Sequence, residues 1–184
     1  MTMTPRLRPA QAADVDQLAH LARDTYSAAF GHTYEAAADL AAHLETGLSD
    51  TRVWQWLAQD DVTLADLEGR IVGFAHFGPT RAGSYGGFPD AGDPALHRLY
   101  VARDLLNVGV GGALLRAALA DMARAGKPIY LDVWEENRGA QRLYARHGFV
   151  PLGRVTLKTA SGLSAGDDIV MVRRRSPIQV GSRA

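Results

Sequence analysis

The apolar positions along the chain change period several times, and each change marks an element. From Asp14 to Phe30, apolar or small side chains recur at Val15, Leu18, Leu21, Ala22, Tyr26 and Phe30, close to the helical period, with Gly31 as a stop. Ala36 to Leu44 and Thr51 to Leu57 read as one or two further helical pieces, interrupted at Gly47 and at the capping pair Ser49-Asp50. Val62 to Phe77 then holds two apolar runs joined at Glu68-Gly69, which predicts a β-hairpin whose second strand is apolar enough to be buried. Thr80 to Pro94 is rich in Gly and Pro and reads as a mobile loop. A strand, ALHRLYVA, follows. The helix VGVGGALLRAALADMARAG comes next, with Val110, Leu114, Leu115, Ala118, Leu119 and Met122 on its apolar side and Gly126 as its stop. IYLDVW is another strand, Asn137 to Gly148 a short capped helix, and a strand begins at Phe149. A Gly and Ser turn region at Ala160 to Gly166 leads to the last strand, DDIVMVRR. Hairpin, strand, helix, strand, helix, strand predicts a mixed sheet with helices packed on it, because crossover helices join parallel neighbours. Residues 1–175 read as a single domain and 176–184 as a loose C-terminal tail.

Composition narrows the classes of function. A chain of 184 residues with 47% hydrophobic and 22% charged residues buries a real core and most naturally forms one domain. Lys plus Arg and Asp plus Glu both number 20, so no net field holds nucleic acid or an anionic membrane, and any partner is recognised locally. The absence of cysteine removes disulfides, thiolate nucleophiles and Cys-based zinc sites, and fits a reducing compartment. The start, MTMTPRLRPAQ, lacks the apolar core of a signal peptide, and no run approaches the ~18 apolar residues of a membrane span. The expected location is cytoplasmic.

Two stretches have chemical content. In LNVGVGGALL, Leu106 to Leu115, glycines stand where a strand gives way to a helix, so backbone N–H groups and the positive helix end face outward together, a geometry that binds phosphate. A tight turn needing glycine for its dihedrals is the equal alternative. No Lys-Ser or Lys-Thr follows, and Leu114 stands where a dinucleotide fingerprint has its third glycine, so nucleoside triphosphate and NAD readings weaken. The second stretch is VWEENRGAQRLYARHGF. Asn137 is a good N-cap, and Ala140 and Tyr144 lie at +3 and +7 on one helical face, before the stop at Gly148. Taken singly, these residues are a cap, a core tyrosine and a core phenylalanine.

In this order and separation the two motifs resemble those of the GNAT acetyltransferase superfamily, over about Val62 to Arg174. The resemblance implies an α/β fold with a largely antiparallel mixed sheet, a central parallel pair and helices on both faces. It also implies acetyl-CoA as co-substrate and no metal. The family's pyrophosphate loop, Arg or Gln, two residues, Gly, one residue, Gly or Ala, corresponds to Leu106 through Gly111, with Leu106 in place of the basic or amide residue. On this likeness the amides of Val108, Gly109, Val110, Gly111, Gly112 and Ala113 hold the pyrophosphate, Leu99, Tyr100 and Val101 offer strand backbone to the pantetheine arm, and Asn137 lies beside that arm. Tyr144, protonated at neutral pH with a reference pKa of ~10, is the general acid for the leaving thiolate. For the base, Asp132 in LDV comes first, although an ordinary Asp pKa of ~3.9 makes it a weak acceptor unless it is buried. His97 has the better resting pKa; two residues earlier, where many relatives carry a carboxylate, stands Ala95. A polar residue capping the rim of the sheet is the other reading of each.

Two other patterns are set aside. Gly162 to Gly166 matches G-x-S-x-G, but no His follows His147. The six histidines show no close ligand spacing, which argues against a metal site. The chain is also similar in part to bacterial spermidine and spermine acetyltransferases, in VWEEN, GDDIVMV and TYSAAFGHTY followed by DLAAHL. By family analogy Tyr26, Phe30, His32 and Tyr34 line the acceptor pocket; the spacing of Tyr26 and Phe30 is equally that of a core stripe. Asp90, Asp93, Glu35 and Asp39 could attract a polycation or be solvated charge. The expected partner is a small primary amine, a polyamine among them, with no nucleic acid and no membrane, and a homodimer as an open option. A protein N-terminal acetyltransferase and a non-catalytic acyl-CoA-binding regulatory module are the rival functions.

Overall fold

The computed structural model describes residues 4–81, 83–89, 91–158 and 164–174. Its strands are β1 (Arg6–Pro9), β2 (Asp61–Leu67), β3 (Arg70–Pro79), β4 (Pro94–Val101), β5 (Ile129–Trp134), β6 (Val150–Lys158) and β7 (Ser164–Arg173). The helices are α1 (Val15–Phe30), α2 (Ala37–Gly47), α3 (Asp50–Gln59), α4 (Val110–Met122) and α5 (Arg138–Arg146). The strands form one sheet in the order β1-β2-β3-β4-β5-β7-β6, antiparallel except for the central pair β4 and β5.

Local chemistry explains most boundaries. Ser49 caps α3, its hydroxyl accepting from the Arg52 amide at 3.3 Å. Glu68 and Gly69, at φ 54° and 85°, make the tight turn of the β2–β3 hairpin, and Gly148 at φ 85° ends the α5 turn. Alternation along the strands then sends side chains to two cores. Val72, Ala75, Phe77, Leu96, Leu131 and Val133 face α4 and α5, which contribute Leu114, Leu115, Ala118 and Tyr144. Leu64, Ile71 and Phe74 face α1 and α3, which contribute Leu18, Ala22, Val53 and Trp56. Each fully buried aliphatic or aromatic side chain stabilises the fold by about 1.5–3 kcal/mol, so both layers are held firmly against the sheet.

Two expectations are corrected. A strand at Arg6–Pro9 was not foreseen; it pairs with β2, and Arg8 bonds Asp66 at 2.9 Å and Asp14 at 2.7 Å. The crossover through α4 does join parallel neighbours, but the one through α5 does not, because β7 inserts antiparallel between β5 and β6. Within the segment expected to be a mobile loop, Ser84–Gly87 form a short turn with Tyr85 at φ 52° and Gly86 at φ 65°. Beside it the ring of Phe88 lies so close to Gly153 of β6 that an added Cβ would come within 2.1 Å of it. Of the G-x-S-x-G stretch, Gly162 and Leu163 lie outside the described residues, and Ser164 opens a strand rather than a strand-to-helix turn. The C-terminal tail, 176–184, also lies outside them.

Candidate active site

The centre of the sheet is open. β4 and β5 pair in parallel only at Ala95↔Tyr130 and Leu96↔Leu131, after which no further pairs form between them among the described residues. The cause is a bulge: Leu96 faces Phe77 and Arg98 faces His76, so His97 is one residue too many on β4. Past it the strand leaves β5, and the edge of 98–101 that would meet β5 is free to meet an extended ligand. Leu99, Tyr100 and Val101, the residues expected to face pantetheine, lie here.

The glycine-rich turn sits on the α4 side of this opening. Ala113 is the first amide of α4 bonded within the helix, to Gly109 O at 3.0 Å, and among the described residues no side chain caps the amides ahead of it. Gly109 is at φ 99° and needs to be glycine for that reason alone. Gly111 and Gly112 do not: an added Cβ at Gly111 would make ordinary contacts at 3.6 Å and beyond, and at Gly112 would meet only the end of the flexible Arg116 at 3.3 Å. The fold tolerates side chains at these two positions, whereas a phosphate lying against the amides does not. The cradle therefore fits an acetyl-CoA pyrophosphate, with Leu106 and Val108 51% and 56% exposed at its mouth.

α5 closes the other side. Asn137 Oδ1 accepts from the Ala140 amide at 3.1 Å, so its oxygen is used as the helix cap and only its NH₂ group remains for a ligand. Tyr144 is buried, packed edge-on to Phe149 at 6.0 Å between centroids. Burial, then the nearby Asp132 charge, push its pKa up, so the hydroxyl keeps its proton at any physiological pH.

On the opposite face of the sheet stands a pair of carboxyls. Asp132 points away from Leu131 and Val133, as its alternation predicts, and is hydrogen-bonded to Asp168 of β7. Asp168 is 7% exposed. Burial and the adjoining Asp132 push its pKa up to about 8, and burial raises Asp132 as well. Two carboxyls in contact, Asp168 buried and Asp132 half-buried, hold one proton between them near neutral pH and carry one negative charge. The burial that Asp132 needs to act as an acceptor is thus present, together with a partner that was not foreseen. Asp132 is a lone acid inside an otherwise apolar strand, whereas Asp168 follows Asp167 at the head of an apolar run and carries no such local signal.

His97 fares differently. Burial, then His76 beside it, lower its pKa to about 4, so the better resting pKa expected of it does not hold. Its Nδ1 is hydrogen-bonded to the Tyr85 hydroxyl at 3.3 Å, and its buried Nε2 has no hydrogen-bond partner among the described residues. The fold also brings together residues the sequence spacing kept apart, since Asp60, His76 and His97 each place a ligand atom within 4.8 Å of the others. The donor set does not suit a cation. Metal on His76 Nε2 requires Nδ1–H facing an acceptor. His76 Nδ1 instead faces Arg98 Nη1, a pure donor, at 3.3 Å, and Arg81 reaches both Asp60 oxygens at 3.1 and 3.3 Å. His76 instead bonds Asp60 at 2.9 Å and stays neutral, its pKa lowered to about 4 chiefly by burial.

Of the expected acceptor-pocket residues, Tyr26 and Tyr34 share a 2.7 Å hydrogen bond between hydroxyls, and Phe30 and His32 both lie 5.6 Å from Trp134 between ring centroids. His43 and Trp134 join this group without having been foreseen. Asp93 is not available to a polycation, because it is buried and bonded to Lys127 at 2.9 Å. Asp90 lies outside the described residues, Glu35 is exposed and Asp39 is half-buried.

An opened parallel pair with a free helix end on one side and a buried tyrosine beside it is an arrangement suited to an acyl-CoA. Residues 15–149 match the model of the acetyltransferase (GNAT) family, and the chain belongs to that family. It is an acyltransferase with acetyl-CoA as co-substrate. It is 31% identical over 163 residues to an uncharacterized N-acetyltransferase of Mycobacterium tuberculosis, covering 87% of this chain and 97% of that one. The fold superposes on the PaiA N-acetyltransferase of Thermoplasma acidophilum in complex with coenzyme A, with a TM-score of 0.71 and 17% identity over 94% of this chain and 100% of that one. A Corynebacterium glutamicum protein described as histone acetyltransferase HPA2 and related acetyltransferase gives a TM-score of 0.70 and 25% identity, over 97% and 100%. No helix among the described residues is long and apolar enough to cross a membrane.

Proposed function

We propose that the protein transfers the acetyl group of acetyl-CoA to the nitrogen of a small primary amine, with the Asp132–Asp168 pair as proton acceptor and Tyr144 as proton donor. The supporting observation is the carboxyl pair on the face of the central opening across from α4 and α5. Acetyl-CoA supplies the activated acyl thioester. The amides at the start of α4 and the free edge of β4 bind and orient it, with the Asn137 amide group beside the arm. The pair's single negative charge attracts an ammonium, and the raised proton affinity of Asp132 lets it take the proton that an ordinary aspartate would leave on nitrogen. Tyr144 Oη holds the proton that the departing thiolate needs. The rival non-catalytic reading gives no reason for two carboxyls in contact at this point. Replacing Tyr144 with Phe tests the assignment: kcat should fall by about 10²-fold or more with acetyl-CoA affinity unchanged, and an unaltered kcat would remove Tyr144 from the reaction.

A further inference from the structure

A wall of rings leads up to the carboxyl pair. Tyr26 stacks on His43 at 4.4 Å between centroids and 15° between planes, and meets Phe30 at 4.8 Å; Phe30 in turn meets Trp134 at 5.6 Å. Phe30 and Trp134 are half-buried and belong to neither core. Their apolar faces are assembled without an internal layer to cover them, which is unusual for aromatic groups of this size. Wall and pair are continuous. Trp134 is directly opposite Asp168 in the β5–β7 register and two residues from Asp132 on the same side of β5.

The charges around this cleft decide what it can take. The pair contributes one negative charge, and Arg98, whose field reaches both Asp132 and His43, contributes one positive charge. The next acids outward, Glu135 and Asp167, share Arg154, at 2.5 and 3.9 Å. A second or third ammonium group would leave water to compete with Arg154 for the outer acids and with Arg98 in range, a costly exchange.

We infer that the acceptor is an arylalkylamine, one primary ammonium on a short arm from a flat aromatic body, and not a polyamine. The ammonium meets the Asp132–Asp168 pair while the aromatic body lies along Phe30 and Trp134. This rests on the acetyl-transfer reading for the place of the nitrogen.

The test is calorimetric titration of the CoA-saturated protein with 2-phenylethylamine, n-butylamine and spermidine, with acetylated product measured separately using acetyl-CoA. Phenylethylamine should bind about tenfold more tightly than either of the others, the scale of one aromatic contact with its burial. Trp134→Ala should erase that advantage, and Phe30→Leu, which keeps the volume, should reduce it. Spermidine binding most tightly, an equal loss for all three amines in both variants, or no binding by any of them would overturn the inference. Phenylethylamine bound in this order without acetylated product would leave it standing and overturn the acetyl-transfer reading. Product formed best from spermidine would do the reverse.

Discussion

Asp168→Asn should make the protein more stable, by an amount that grows as the pH rises toward neutrality. In the folded chain Asp168 keeps its proton up to about pH 8, whereas at its ordinary value of 3.8, as in the unfolded chain, it has already lost it. Between those values the folded state binds the extra proton, so stability falls as pH rises, by about 1.4 kcal/mol per unit. Stability from this group is fully present below pH 3.8 and lost through pH 8. Asparagine has nearly the same shape, can still donate to Asp132, and does not titrate. Over the roughly three units from 3.8 to 7 the removed cost is at most about 4 kcal/mol, less whatever Asp132 takes over as the lone acid. Between pH 5 and pH 7 the advantage of the variant should grow by up to about 3 kcal/mol, or roughly 5–10 °C in Tm for a chain of this length. Thermal unfolding of both proteins at pH 5, 6 and 7 reads this directly. An advantage that is the same at pH 5 and pH 7, or a variant less stable at both, would refute the reasoning that the two carboxyls share a proton.

Other changes probe the surroundings. Gly153→Ala should destabilise by about 1–3 kcal/mol, since its Cβ would overlap the Phe88 ring, and the added cost should vanish in a Phe88→Ala background when measured by denaturant unfolding as a double-mutant cycle. Leu106→Arg places a cation at the mouth of the amide cradle and should tighten acetyl-CoA binding by about tenfold, with a steeper salt dependence in calorimetry; unchanged affinity would mean the pyrophosphate lies elsewhere.

The periodic elements were legible because their apolar faces are long and cleanly patterned: α1, α4, the β2–β3 hairpin and β5 fall where the sequence places them. β1 was not, because Arg-Leu-Arg-Pro has too few apolar positions to register; its place is fixed by pairing to β2 and by Arg8 between Asp14 and Asp66. The insertion of β7 between β5 and β6 is a matter of long-range pairing that no local period encodes. At the site, the glycine turn and the Asn137 to Tyr144 spacing were visible as local patterns, and so was Asp132. Asp168 was missed because its meaning depends on the β5–β7 register, which sets it opposite Trp134. His97 was misjudged for a related reason: its depth in the fold, not its type, sets its proton affinity.

The extra residue on β4 also has a geometrical consequence for the side chains. A strand that alternates without interruption from Leu96 would turn Arg98 and Tyr100 toward α4 and send Leu99 and Val101 to the other side. Because His97 adds half a period, the strand changes phase: Leu96 and Leu99 both reach the α4 core, while Arg98 lies over the Trp56 ring at 4.6 Å and Tyr100 meets Phe74. Deleting this one position would let β4 zip against β5 and close the slot, yet Arg98, following Leu96 directly, would keep its face, and Leu99, Tyr100 and Val101 would keep theirs. The cleft thus hangs on a single inserted residue whose loss leaves the sorting of the strand's second half unchanged.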